Sequence, residues 1–320
     1  MRHGERLRRI AIKLLRVLCV ATLLLGVAGH GGRAHRFLEL ASHFKLQYLL
    51  ASLVLLIIFI ALRAPRWIGG AMLCAVLNAS ALAPWYWPPT PFEVDTARRP
   101  LLLLLSNVFY GNPHYALFAA YVREQQPDIV VCQEVSHRWG FELKALQQAY
   151  PHSIVVPKAG GSGIALLSRW PLKESFVINL GDTSRPSILA TVDLGETAVS
   201  VLALHPETPL AAHNFAARNS QLAEAARLMG TLPGHKIIIG DLNTTLWSPF
   251  LSDLENTGMV NARRGAGALP SWPTHLPPFM RLPIDHCFVS PEMTVAGIRT
   301  GRDIGSDHLP LIVDVAVPIP

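Results

Sequence analysis

The 320-residue sequence predicts an α+β fold: a four-layer sandwich of two mixed β-sheets flanked by helices, preceded by an N-terminal transmembrane helical region. Three observations predict it. Half of the residues are apolar, and in the first hundred they gather into three long runs, whereas residues 101–320 alternate like a globular domain. That second part holds about ten strand-like stretches with helical stretches between them and many gaps of hairpin length, which favours two sheets packed face to face. Charge divides at the same place: residues 1–100 carry 13 Lys or Arg against 4 Asp or Glu, and residues 101–320 carry 15 against 18. The net charge of +6 therefore belongs to the membrane-like part and reports no basic groove for nucleic acid.

Residues 1–90 read as a membrane region with about three transmembrane helices. In the first, residues 10–28, Lys13 and Arg16 leave only 17–28 uninterrupted. Snorkelling of the two cations to a cytoplasmic face makes it an uncleaved helix; the basic start, the short apolar core and the small residues of "GVAG" equally resemble a signal peptide. Residues 44–62 and 67–87, joined by the basic turn "RAPR", each approach the roughly 20 residues that cross a hydrocarbon core. A buried helical hairpin is the alternative. Trp85, Tyr86 and Trp87 fit an interfacial aromatic belt, and "PPTP" stiffens the exit towards a linker at 91–100. Arg2, Arg6, Arg8 and Arg9 hold the N-terminus inside, so three crossings of an inner or plasma membrane put the C-terminal domain outside the cytoplasm.

From residue 101 the elements follow in order. "LLLLLSNVF" is a buried strand, residues 113–126 have helical spacing, "DIVVCQEV" is a second strand and "GFELKALQQAY" a helix. "SIVV", "GIALLS", "SFVINL", "SILATVDL" and "AVSVLALH" are closely spaced strands. Residues 211–229 form the longest amphipathic helix, followed by strands at "HKIIIGDLN", "IDHCFVS" and "PLIVDVAV". Cys19, Cys74, Cys132 and Cys287 show no zinc-ligand spacing and read as buried apolar thiols.

Each buried strand ends in a residue that binds metal or phosphate: Asn107, Glu134, His205, then Asp241 and Asn243, with Asp285 opening one strand and Asp307 and His308 preceding the last. Strand ends gathered along one edge bring these groups into one cleft. Carboxylates and a carboxamide around one point make an oxygen-rich site suited to Mg²⁺ or Mn²⁺ rather than zinc, which leaves the histidines and Asn243 for phosphoryl oxygens and proton transfer. Singly, the signals are uneven. Glu134 reads also as a capping acid, Asn107 as a turn former and His205 as a loop histidine. "GDLN" is stronger, because Gly240 frees the backbone where Asp241 and Asn243 must point the same way.

In order, "SNV", "QEV", "GIALLSRWP", "LALHPETP", "IIIGDLNTT", "SWP", "PIDHCFVS" and "GSDHLPL" resemble the motifs of the endonuclease/exonuclease/phosphatase superfamily, with its DNase-I-like fold, over residues 101–320. The resemblance implies that Glu134 is the main metal ligand, assisted by Asn107 and, through water or at a second site, by Asp307. It implies that Asp241 orients or deprotonates the attacking water and that Asn243 holds the phosphate. His308 would donate to the phosphoryl oxygen, with Asp285 or Asp307 fixing its tautomer, and His205 would be a second donor. Arg185 and Trp272 are expected on the substrate side. Phe109 stands where some family nucleases carry a further acid, which favours one metal; His205 replaces the asparagine of abasic endonucleases.

These residues imply a membrane-tethered, Mg²⁺-dependent phosphodiesterase or phosphatase whose partners are membrane lipids and a phosphoester substrate, naturally a lipid-linked one. The alternatives are an extracytoplasmic nuclease and a catalytically silent anchored binding domain.

Overall fold

The computed structural model describes residues 2–87 and 97–319, with side chains from Glu5 onward. Residues 91–96 of the expected linker, and its "PPTP" entrance, lie outside the described residues. The chain divides into two compact units: Met1–Pro84 with Trp247–Pro249, and Trp85–Leu246 with Phe250–Pro320.

The first unit is helical, with α1 (Arg2–Ala28), α2 (Arg36–Ser42), α3 (Lys45–Ala61) and α4 (Pro65–Tyr86). Cys19, Leu55, Phe59 and Ala71 pack inside it, while Leu14, Val17, Leu24, Val54, Ile57 and Met72 stay exposed. An apolar outside around a small buried core is what a bundle solvated by lipid presents. By length and composition α1 and α4 suffice to cross a membrane. The α3 stretch reaches that length only together with α2, to which it is bent by 63°.

Among the described residues the second unit contains twelve strands: β1 (Arg98–Asn107), β2 (Ile129–Gln133), β3 (His152–Val156), β4 (Ile164–Ser168), β5 (Leu172–Asn179), β6 (Pro186–Asp193), β7 (Ala198–Ala203), β8 (His235–Asp241), β9 (Val260–Asn261), β10 (Asp285–Val289), β11 (Thr294–Thr300) and β12 (Leu311–Pro318). They form two six-stranded mixed sheets, ordered β11-β12-β1-β2-β4-β3 and β5-β6-β7-β8-β10-β9. Alternation assigns the faces. Leu101, Leu103, Leu105, Ile129 and Val131 meet Val199, Val201, Ile237 and Ile239 between the sheets. Leu104, Val130 and Cys132 point the other way, against α5 (Tyr115–Gln125), α6 (His137–Glu142) and the 3-10 turn Leu143–Leu146. Beside the second sheet, α7 (Ala212–Thr231) is tied down by Gly181 N–H to Glu224, by Gln221 to the Thr183 hydroxyl, and by Glu207 N–H to Gln221. The four cysteines are buried and unbonded.

Three expectations are corrected in detail. The helix expected over "GFELKALQQAY" begins earlier, because Ser136 caps it by accepting from Trp139 N–H, and it tightens to 3-10 geometry at Leu143. β9 was not expected because two residues carry no periodicity. β11 was not expected because a register shift between Val295 and Gly297 breaks the alternation of an edge strand.

The strand pairing explains why the polar strand ends meet. β1 runs parallel to β2, and β7 parallel to β8, so their C-terminal ends lie at one edge of each sheet. β10 pairs antiparallel with β8, setting Asp285 opposite Asp241, and β12 pairs antiparallel with β1, setting Leu311 opposite Leu105. The starts of those two strands therefore reach the same edge. Gly240 permits the closest approach there: a Cβ would run into the Leu204 carbonyl and come within 2.7 Å of Gln133 Nε2. Gly240→Ala is expected to cost about 3 kcal/mol, read as a lowered thermal midpoint; an unchanged midpoint would show that these strand ends are not held so closely.

Candidate active site

Asn107, at the end of β1, is the hub of the strand-end cluster. Its Nδ2 lies 3.1 Å from Glu134 Oε1, 3.2 Å from Asp241 Oδ2 and 3.4 Å from His308 Nε2. Glu134 and Asp241 can each accept one of its two N–H groups, and the His308 ring stands beside them. Glu134 leaves β2 in the left-handed region, at φ 61°, which turns its carboxylate back towards Asn107. Its Oε2 accepts from Tyr110 N–H at 3.2 Å, and Gly161 leaves space beside it that a Cβ would enter to within 3.1 Å.

Asp241 stands between two histidines: His205 Nε2 and His308 Nε2 are each 3.6 Å from its Oδ2. Its Oδ1 accepts from Asn243 N–H at 2.9 Å, and Asn243, itself at φ 50°, gives its side-chain amide to the Pro206 carbonyl at 3.0 Å. Asp285 completes a relay, with Oδ2 3.0 Å from His308 Nδ1 and accepting from the Ser271 hydroxyl. Of the two acids open for this role, the structure puts Asp285 beside the ring. Asp307 instead receives Trp272 Nε1–H on Oδ2 at 3.1 Å, and its Oδ1 is buried without a hydrogen-bond partner among the described residues. Trp272 also brings its ring to 6.2 Å from that of His308. Arg185 reaches His205 Nδ1 at 3.4 Å and the Gly161 carbonyl at 3.0 Å, while its Nε is 2.9 Å from Glu207. All ten residues expected from the sequence thus lie in one connected cluster.

Electrostatics separates the histidines. Burial opposes the charged form of His308, but Asp285 and Asp241 outweigh it and raise the ring to about 9. Burial would raise Asp241 as well, yet His308, His205 and the Asn243 N–H hold its carboxyl below the usual range. His286 has the opposite environment: burial and the neighbouring Arg263 push it down to about 3, so it is a neutral core residue lying 2.9 Å from the Thr244 carbonyl.

Asp241, Asp285 and His308 offer ligand atoms within 4.8 Å of one another. An imidazolium does not ligate, and with His308 bonded to Asp285 this trio is better described as a hydrogen-bond relay. Glu134, Asn107 and the unpartnered Asp307 oxygen remain as the oxygen-rich side of the site. Asp241, Asp285 and Asp307 around one imidazolium, with Glu134 on the Asn107 amide, leave an excess of negative charge that suits a divalent cation.

Four supporting residues went unread in the sequence. Gln133, fully buried, accepts from Asp241 N–H at 2.8 Å and donates to the Leu204 carbonyl at 2.6 Å. Ser271 holds Asp285, Arg218 donates to the Asn243 carbonyl at 3.0 Å, and Arg263 donates to the carbonyls of Ala268, Leu269 and Asp285. Only Gln133 left a signal: alternation from Ile129 and Val131 places it on the inter-sheet face, where a polar side chain needs a reason.

The Endonuclease/Exonuclease/phosphatase family model matches residues 104–308. Among solved structures, a humanized D. rerio TDP2 is 18% identical over 68% of this chain and 98% of that one, with a TM-score of 0.57. The 3' phosphatase NExo from Neisseria, bound to a product DNA hairpin, is 19% identical over 67% and 98%, with a TM-score of 0.56. An endonuclease/exonuclease/phosphatase from Beutenbergia cavernae is 21% identical over 69% and 72%, with a TM-score of 0.55. These likenesses show the fold. No curated protein sequence matches the chain.

Because the folded pKa of His308 lies above its ordinary 6.5, the stability its cation contributes is complete below about 6.5 and is lost as pH rises through about 9. In the metal-free protein an NMR titration is expected to find the ring still protonated at pH 8, with Asp285→Asn returning it well towards 6.5. A wild-type ring that titrates near 6.5 would refute the relay.

Proposed function

The chain belongs to the endonuclease/exonuclease/phosphatase family, a family of phosphoester hydrolases, and on that premise we propose that it is a membrane-tethered, divalent-metal-dependent phosphodiesterase or phosphatase. The observation that carries the reading is the convergence of Glu134, Asp241 and His308 on the one side-chain nitrogen of Asn107.

Glu134 and Asn107 would hold Mg²⁺ or Mn²⁺, with Asp307 contributing through water or at a second position. The bound ion supplies charge neutralisation at the phosphoryl oxygens. The remaining steps belong to the chain. Asp241, kept ionised by the two histidines, accepts a hydrogen bond from the attacking water and orients it towards phosphorus. As the water oxygen bonds to phosphorus and the P–O ester bond breaks, charge grows on the phosphoryl oxygens. His308 meets it as a cation, its Nδ1–H fixed on Asp285 so that Nε2–H points into the cleft. His205 and the Asn243 side chain add donors on the other side, and Trp272 and Arg185 border the substrate.

Tethering confines the cleft near lipid head groups, which makes a lipid-linked phosphate the natural substrate. With the bent α2–α3 pair counted as one span, three crossings from a cytoplasmic basic N-terminus carry the catalytic unit outside. A reporter fused after Pro320 is expected to be active outside the cytoplasm; activity inside would mean that the bent pair does not cross.

The second reading is a nuclease, favoured by the DNA products held by the D. rerio TDP2 and Neisseria NExo structures. Binding to DNA that falls steeply as salt rises would support it, whereas the acidic balance of residues 101–320 speaks for a smaller or lipid substrate.

Hydrolysis of bis(p-nitrophenyl) phosphate by the full chain with Mg²⁺ is expected to stop with chelator and to fall at least about 100-fold in Glu134→Gln and in His308→Ala. Equal rates in all four samples would leave a silent binding domain.

A further inference from the structure

Directly after the site the chain makes an excursion. It leaves β8 through Asp241 and Asn243, and four residues later Trp247–Pro249 belong to the helical unit, although Leu246 and Phe250 on either side of them do not. Polar contacts hold the excursion there. Glu39 of α2 is fully buried, with Oε1 accepting from the Ser248 hydroxyl at 2.7 Å and Oε2 lying 3.2 Å from His43 Nε2. Arg33 donates to the Pro249 carbonyl at 2.7 Å, and Gly32 makes room for that proline, since a Cβ would come within 3.0 Å of its ring. A buried acid adds little net stability once its desolvation is counted. Two carboxylate oxygens facing two partners supply direction instead: they fix where Ser248 stands, which an apolar contact would leave free to slide.

The other end of the stretch is fixed in the sheet unit. Asn243 N–H donates to Asp241 at 2.9 Å, its carbonyl accepts from Arg218 at 3.0 Å, and the Thr244 carbonyl lies 2.9 Å from His286 Nε2. The Arg218 guanidinium also lies against the rings of Phe215 and Phe250, 5.6 and 5.5 Å from their centroids. Only Thr244, Thr245 and Leu246, all buried, join Asn243 to the excursion, so the link has little slack. Asn243 itself sits at φ 50°, a left-handed conformation that persists where its surroundings enforce it.

We propose that Glu39 is a positioning residue for the reaction: by holding Ser248 it sets the stretch from Thr244 to Pro249, and through it the place of Asn243 and its bond to Asp241. The helical unit then sets the geometry of the site besides anchoring it. This inference rests on phosphoester hydrolysis at that site.

Hydrolysis of bis(p-nitrophenyl) phosphate by the full chain with Mg²⁺, at a temperature below the lowest thermal midpoint among the variants, tests it. Ser248→Ala is expected to lower kcat about tenfold with KM within about twofold, and Ser248→Thr, which keeps the hydroxyl, to stay within about threefold of wild type. Glu39→Ala should match Ser248→Ala, and Glu39→Gln, which keeps an acceptor for the hydroxyl, should match Ser248→Thr. Phe59→Ala opens the buried core of the helical unit without removing either hydrogen bond, and should lower the thermal midpoint while leaving kcat within about twofold. A kcat within about twofold of wild type in both Ser248→Ala and Glu39→Ala overturns the inference. So does a Ser248→Thr chain as slow as Ser248→Ala, or a Phe59→Ala chain as slow as Glu39→Ala. In those cases the wild-type chain still cleaves the ester and hydrolysis at the site stands; a wild-type chain that cleaves nothing defeats the function beneath it as well.

Discussion

One side-chain amide closes the two sheets at the edge where the chemistry lies. Gln133 ends β2 of the first sheet, yet both of its hydrogen bonds go to the second: it accepts from Asp241 at the end of β8 and donates to Leu204 just past β7. Glutamine alone among uncharged side chains of that length offers an acceptor and a donor side by side. Buried between apolar layers, it is stabilising because both groups are satisfied; losing either partner would leave a desolvated polar atom at a cost of about 1–3 kcal/mol. Glu134 and His205 directly follow Gln133 and Leu204, and the second anchor is Asp241 itself. A shift of one sheet against the other would therefore separate the carboxylate of the first sheet from the acid and imidazole of the second. Gly240 belongs to the same constraint, since only a residue without Cβ lets β8 come this near.

With the backbone fixed, charge decides which groups ionise. Glu134, Asp241, Asp285 and Asp307 bring four carboxylates into one connected cluster. His308 compensates part, and its high proton affinity is the counterpart of that excess. The contrast with His286, its neighbour across β10, shows that burial alone does not set a histidine's state. Both are nearly solvent-free, yet one faces two carboxylates and the other a guanidinium. What remains uncompensated around Asn107 and Glu134 is the electrostatic basis for placing a divalent cation there.

Much of this was legible in the sequence because a buried strand announces both its face and its end. Asn107, Glu134, Asp241 and Asp285 stand at strand termini whose apolar runs are unmistakable, and mixed pairing then collects those termini at one edge. Residues in loops gave no such signal. Arg263, in a loop, and Arg218, within α7, donate to backbone carbonyls, so nothing in their sequence neighbourhood distinguishes them from surface arginines, although both are fully buried. Asp307 was readable as part of "GSDH" but not its partner, because whether it turns to a metal or to Trp272 depends on a hairpin 25 to 35 residues earlier in the chain.

Arg185, expected on the substrate side, is also tied to the protein around it. A guanidinium has donors only. Where its Nη1 lies 3.4 Å from His205 Nδ1, the guanidinium can only donate, and the other ring nitrogen, Nε2, is turned towards Asp241 at 3.6 Å. Glu207 and the Gly161 carbonyl hold the guanidinium from its other sides, so it cannot swing to the phosphate without releasing the histidine. The two rings flanking Asp241 are thus prepared in opposite ways. A carboxylate behind His308 keeps it charged, while an arginine behind His205 keeps its outer N–H in place as a hydrogen-bond donor. A phosphoryl group entering between them would meet two rings held from behind by opposite charges.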